Sequence, residues 1–164
     1  MVEEGLKEEV ASCGKLLKEW KAFILRDLTF SDFKKVLEGY FSSGANSIFY
    51  AVGKGCGMRS CRRLMTFYHE RGDLFDALIE YKQEEGWGII RVAIDNETGA
   101  GRVYVSQSFE ARGYGKSEEP VCYFLKGYLE GFLSTFFGKE FVASETHCIA
   151  KGDKECIFEI ETKG

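Results

Sequence analysis

Proline is nearly missing from this chain: Pro120 is the only one in 164 residues. Few loops are therefore rigid by composition. Histidine is almost as scarce, with only His69 and His147. No Ser-His-Asp set can be placed, and His147 next to Cys148 on a strand would point to the opposite face. No stretch approaches the roughly 18 consecutive apolar residues that mark a membrane-spanning helix. The net charge is −4 and its signs are mixed along the chain, with no basic stripe, so direct nucleic-acid binding is not expected. The acidic start, Met1-Val-Glu-Glu-Gly, does not read as a secretory signal. A cytoplasmic protein is the expectation. Gly53-x-Gly55-x-Gly57 lacks the preceding strand and the Lys-Ser/Thr of a phosphate loop, and no nicotinamide or flavin fingerprint appears.

Aromatic residues are plentiful, at 15% with 14 Phe and 8 Tyr. They serve either a plain core or the lining of a cavity for an apolar ligand. Six cysteines in a reducing compartment argue for metal ligation or free thiols over disulfides. The length suits one domain with a real core.

In chain order, residues 3–26 read as an amphipathic helix, with Leu6, Val10, Cys13, Leu16, Leu17, Trp20, Phe23 and Ile24 at three- and four-residue spacing. It packs on its own domain or makes a dimer contact. Residues 1–27 are thus set apart from a main domain over 28–164. Thr29 or Ser31 can cap a helix over about 31–42, whose Phe33, Val36, Leu37, Tyr40 and Phe41 share a side. A helix over 45–68 carries Gly53, Gly55 and Gly57, which imply close approach of a neighbouring helix or a ligand. A helix over 72–84 starts at Asp73. Strands over 88–94 and 102–109 form a hairpin, and 110–119 reads as a surface loop. A helix over about 120–137 begins at Pro120 and places Cys122 near its N-terminus, where a thiolate is favoured. Its Gly127 and Gly131 admit another backbone. The class is α+β: helices packed on an antiparallel sheet of two hairpins.

The most informative stretch is Phe141-Val-Ala-Ser-Glu145-Thr-His-Cys148-Ile-Ala-Lys-Gly-Asp-Lys-Glu-Cys156-Ile-Phe-Glu-Ile160. Read as two strands joined at Lys151-Gly152-Asp153, it sets Cys148 opposite Cys156, with Cβ atoms about 5 Å apart. Glu145 lies three residues before Cys148, on the other face by strict alternation, so joint ligation requires a bend or bulge between them. Cys122 can supply a fourth ligand, and His147 is an alternative to Glu145. Zinc accepts such a set, and a closed four-ligand site is structural. A cross-strand disulfide or two buried thiols are the competing readings.

Cys122, Glu145-x-x-Cys148 and Cys156 together resemble the metal site of the vinyl-4-reductase domain family, which also forms part of the sensor module of phenol- and toluene-responsive transcriptional activators. Gly127-Tyr-Leu-Glu-Gly131-Phe, Gly138 and Glu140-Phe-Val-Ala resemble the same family, over roughly residues 25–162 and most closely over 120–160. The resemblance implies one structural zinc on Cys122, Glu145, Cys148 and Cys156. It also implies a small-molecule-binding domain, often a homodimer, with an apolar cavity between helices and sheet. Tyr50, Gly53, Trp87, Tyr128, Phe132 and Phe158 are the candidate lining residues for an apolar or aromatic ligand. The phenol-sensing members hold the phenol hydroxyl with a His on the helix corresponding to 45–68. This chain has none there and departs from that pattern.

Three functions compete. One is a zinc-containing ligand-binding or sensor domain acting through a partner. Another is an enzyme of vinyl-group reduction, after the bacteriochlorophyll-pathway protein that names the family. The third is an assembly subunit, by fold analogy with a vesicle-tethering family in which some members bury an acyl chain.

Overall fold

The computed structural model describes residues 23–163. Most of the amphipathic segment expected over 3–26, including Cys13, lies outside the described residues. Residues 23–26 are not helical.

Helix α1 spans Asp27–Phe41, α2 Gly44–Leu64 and α3 Arg71–Glu84. Strands β1, Ile89–Ile94, and β2, Gly101–Ser106, form the first hairpin. A four-residue helix α4, Phe109–Arg112, leads to α5, Tyr123–Phe137. Strands β3, Phe141–His147, and β4, Cys156–Thr162, complete an antiparallel sheet of order β1-β2-β4-β3. The two hairpins meet through the β2–β4 pairing. Alternation on β2 and β4 sends Val103, Val105, Cys156, Phe158 and Ile160 inward, onto Leu125, Tyr128, Phe132 and Leu133 of α5. The result is the expected α+β layering.

Helix α5 is the centre of the domain, and its other side meets α2 almost backbone to backbone. A Cβ on Gly53 would lie 2.1 Å from the Phe124 carbonyl oxygen, and one on Gly57 2.1 Å from that of Tyr128. Reciprocally, a Cβ on Gly127 or Gly131 would strike the carbonyl oxygen of Tyr50 or Lys54. The glycines of the two helices are each other's partners, so helix packing explains them, not a ligand. Among the described residues, no helix is long and apolar enough to cross a membrane.

Several expectations are corrected. Helix α1 begins at Asp27, so neither Thr29 nor Ser31 caps it; Ser31 is buried within it. Its apolar side faces outward: Phe33, Val36, Tyr40 and Phe41 are all more than half exposed, while Lys34 is fully buried. A buried ion pair decides the orientation. Lys34 Nζ lies 2.8 Å from Glu110 Oε1 and also donates to the Val121 carbonyl. The aromatic rings of Phe49, Tyr114 and Tyr123 surround the ammonium at 5.3–5.5 Å, an attractive arrangement for a cation.

Glu110 falls in the segment expected to be a surface loop, yet it is fully buried. Its carboxylate accepts from the free N–H groups of Phe124 and Leu125 at the start of α5, an acid where the helix terminus favours one. Strand β2 ends at Ser106 because Gln107 takes φ +57° and turns the chain. Asp73 lies inside α3 rather than at its cap. Pro120 precedes α5 rather than occupying its first turn, and Cys122 is the N-cap residue. Residues 149–151 form a 3-10 turn, so the β3–β4 ladder stops at His147↔Ile157 and the three-residue hairpin loop is not made.

Candidate functional site

Two features stand out along α5: a thiol-carboxylate cluster at its start and an apolar cavity along its middle.

The cluster draws on three elements. Cys122 caps α5, Cys156 opens β4 within the sheet, and Cys148 follows β3. Glu145 joins them because β3 carries a bulge between Glu145 and His147, where the register against β4 shifts. The extra residue cancels the strict alternation that would have sent Glu145 and Cys148 to opposite faces. One ligand atom from each of Cys122, Glu145, Cys148 and Cys156 lies within 4.8 Å of all the others. His147 is exposed, its Nδ1 beside the Thr146 hydroxyl, so Glu145 is the fourth member.

The cysteines are free thiols, with Cys122 and Cys156 sulfurs 3.6 Å apart. That is far beyond a disulfide bond of about 2.0 Å. It is close to the roughly 3.8 Å between two sulfurs on a tetrahedral ion with bonds near 2.3 Å.

The surroundings fit a cation. Glu145 Oε2 accepts from the Cys122 N–H at 2.9 Å, while Oε1 is buried with no hydrogen-bond partner among the described residues. Burial raises the Glu145 carboxyl to about 8 and pushes the Cys122 thiol well up. This reverses the expectation that the helix N-terminus would make Cys122 a thiolate: desolvation outweighs it. Cys148 goes the other way, held low by hydrogen bonds from the thiols of Cys122 and Cys156. Neighbours keep the sulfurs in place. Ile149 N–H donates to Cys156 Sγ at 3.4 Å, Cys148 N–H donates to Asp153 Oδ2 at 2.8 Å, and the buried Ser108 hydroxyl is 3.6 Å from Cys122 Sγ. Such outer contacts orient ligands. The cluster could hold a metal ion. With four protein ligands it would leave no position for a reacting water.

The cavity lies between α3, α5 and the sheet. It measures about 30 Å³, room for little more than a water or two. Phe75, Trp87, Val105, Tyr128 and Phe132 are among its lining. Lys82 is its one charged lining residue. It opens toward a vestibule of about 580 Å³ that shares Leu78 and Lys82 with it.

Of the candidate lining residues, Trp87, Tyr128 and Phe132 border this cavity and Tyr50, Gly53 and Phe158 do not. Tyr50 donates instead to the Glu130 carboxylate, Gly53 meets the α5 backbone, and Phe158 is sealed in the core. Lys82 was missed as a lining residue. Its four-residue spacing from Leu74 and Leu78 puts a cation on the buried stripe of α3, a signal present in the sequence.

Residues 102–162 match the family model of the vinyl-4-reductase domain. The phenol regulator MopR of Acinetobacter guillouiae is 42% identical over 53 residues, 30% of this chain and 10% of that protein. The Methanocaldococcus jannaschii protein MJ1642 is 28% identical over 86 residues, 52% of each chain. The chain thus spans at most about half of these relatives' length. Among solved structures, the phenol-responsive sensory domain of the transcription activator PoxR with phenol aligns at TM-score 0.74 and 20% identity, covering 85% of this chain and 76% of that one. A vinyl-4-reductase family protein of M. jannaschii aligns at 0.64 and 20%, covering 92% and 88%. At that identity the likeness is one of fold. Across residues 102–162, which hold all four members of the cluster, the chain belongs to the vinyl-4-reductase domain family.

Proposed function

We propose that this chain is a zinc-containing sensor domain that binds a small apolar or aromatic molecule between α3, α5 and the sheet. It passes the binding event to a partner, and its metal is structural. The apolar cavity beside Trp87, Tyr128 and Phe132 carries the reading. Its position in a fold shared with the PoxR sensory domain, whose structure holds phenol, supports it.

Three sulfurs and a carboxylate suit zinc. With that set the ion would carry a formal charge of −2, which favours a staple between α5 and the β3–β4 hairpin over an electrophilic catalyst. We further propose a homodimer in the cytoplasm, with the exposed apolar side of α1 and the neighbouring Ile48 and Val52 of α2 toward the partner copy.

Native mass spectrometry with elemental analysis tests these points together, on full-length protein purified without chelator. The expected result is a dimer with one zinc per chain, lost in Cys156→Ser, and added mass from a co-purified apolar molecule. Folded, metal-free wild-type protein would sink the zinc assignment. A monomer would remove the dimer.

A further inference from the structure

The mouth of the cavity is cationic in a protein that is acidic as a whole. Lys82, Arg59 and Arg63 all line the vestibule, against the single carboxylate of Glu85, while the chain's net charge is −4. Arg59 and Arg63 lie one turn apart on α2, are exposed, and pair with no carboxylate among the described residues. Lys82 is different: its side chain is only 10% exposed. Its ammonium sits 4.4 Å from the Trp87 ring centroid and 5.5 Å from that of Tyr128, two residues that line the cavity. Just outside, the Tyr128 hydroxyl donates to the Ser60 hydroxyl at 2.8 Å. A charge buried this far needs a partner. Here the partner is Glu85, three residues on, 2.5 Å from Nζ, with its own side chain 38% exposed. A carboxylate thus already occupies the place where a ligand's acid group would sit, and it stands on the solvent side, free to be exchanged for another.

We infer that the ligand is an apolar, ring-bearing carboxylate. Its acid group replaces Glu85 on Lys82 between Arg59 and Arg63, and its ring enters the aromatic cavity beside Trp87 and Tyr128. This rests on the proposed small-molecule-binding role and gives it a chemical class. A neutral phenol offers the ammonium a weaker acceptor and leaves both arginines unused. An acid gains a charge-assisted hydrogen bond and the attraction of the whole vestibule. Because the cavity holds only about 30 Å³, entry of the ring requires outward movement of its lining. The vestibule of about 580 Å³ is of the size that accepts small molecules.

The test compares 2-naphthoate with 2-naphthol, which share a ring system and differ in charge at neutral pH. Binding to the metal-replete full chain is followed by titration calorimetry. Tighter binding of 2-naphthoate, by about tenfold or more, is expected from one charge-assisted contact, and Lys82→Met should bring the ratio of the two affinities close to one. A second variant, Arg63→Gln, lies on the exposed side of α2 and should weaken 2-naphthoate about threefold while flattening its salt dependence. If 2-naphthol binds as well as 2-naphthoate, or if neither variant changes the ratio, the acid-specific inference is overturned and the pocket reading stands. If neither compound binds the wild-type protein, both fall.

Discussion

Helix α5 has two long sides that are built in opposite ways. Toward α2 it meets a second backbone through Gly53, Gly57, Gly127 and Gly131, where added Cβ atoms would lie 2.1 Å from carbonyl oxygens. Toward α3 and the sheet it presents rings, with Tyr128 against Trp87 at 4.8 Å and Phe132 beside Phe75 at 6.1 Å. Between these rings the cavity remains. The glycine side cannot give, because backbone atoms have nowhere to go. The aromatic side can, because rings can turn and α3 is held by side chains alone. The N-terminus of α5 is fastened further by the thiol-carboxylate cluster and by Glu110. A domain that must open for a ligand without unravelling needs that division: one fixed side, one yielding side, and a fixed end.

The largest effect should come from the fixed end. Stripping the metal with a chelator should cost more than about 5 kcal/mol of stability, read as a fall of more than about 10 °C in Tm. The pH response should change sign with it. In the metal-free protein burial raises Glu145 from 4.5 to about 8. Its contribution is therefore fully present below about 4.5 and is lost as pH rises through about 8, so that form weakens over this window. The loaded form should strengthen with pH, because protons compete with the metal for the same ligands. Melting curves at pH 5 and 8, with and without chelator, check both. Parallel slopes would argue that the cluster holds no metal.

Next is the buried pair. Lys34→Met leaves the Glu110 carboxylate buried without its counter-charge and should cost about 3–5 kcal/mol. Adding Glu110→Gln should recover much of it; a double mutant no better than the single one would break this account. Chemical denaturation measures the difference.

The two sides of α5 then separate directly. Gly57→Ala should cost about 2–3 kcal/mol through overpacking. Phe75→Leu, at the cavity, should cost only about 1 kcal/mol and should change ligand affinity more than stability. Equal losses at the two positions would erase the distinction between them.

Much of this was legible in the chain. The hairpins follow from alternation, as in Val103 and Val105 or Cys156, Phe158 and Ile160, because a half-buried strand must place every second residue inward. The four cluster residues were readable as chemistry, and even the bulge between Glu145 and Cys148 followed from requiring both to reach one point. The glycines of α2 and α5 announced a close approach, though not to each other.

What failed was any inference resting on the nearest apolar periodicity. Phe33, Val36, Tyr40 and Phe41 mark a face of α1, yet the domain buries Lys34 on another side. The pairing with Glu110 joins residues 76 apart, and no local pattern records such a partner. The segment holding Glu110 reads as a polar loop for the same reason: its burial depends on N–H groups at the start of a helix that comes later in the chain.

The division has a physical basis. Short-range geometry, meaning strand alternation, helical spacing and the kinds of atoms a soft cation accepts, is carried by neighbours in the chain, and the sequence alone determined it here: two hairpins, a glycine-lined helix pair, and Cys122, Glu145, Cys148 and Cys156 as a ligand set. The tertiary structure decided what depends on long-range desolvation: which side of α1 is buried, that Cys122 is a raised thiol rather than a thiolate, and that Lys82, on the stripe it shares with Leu74 and Leu78, stands at the mouth of an aromatic cavity. Burial cost belongs to the whole environment of a group, and that environment exists only once the chain has closed around it.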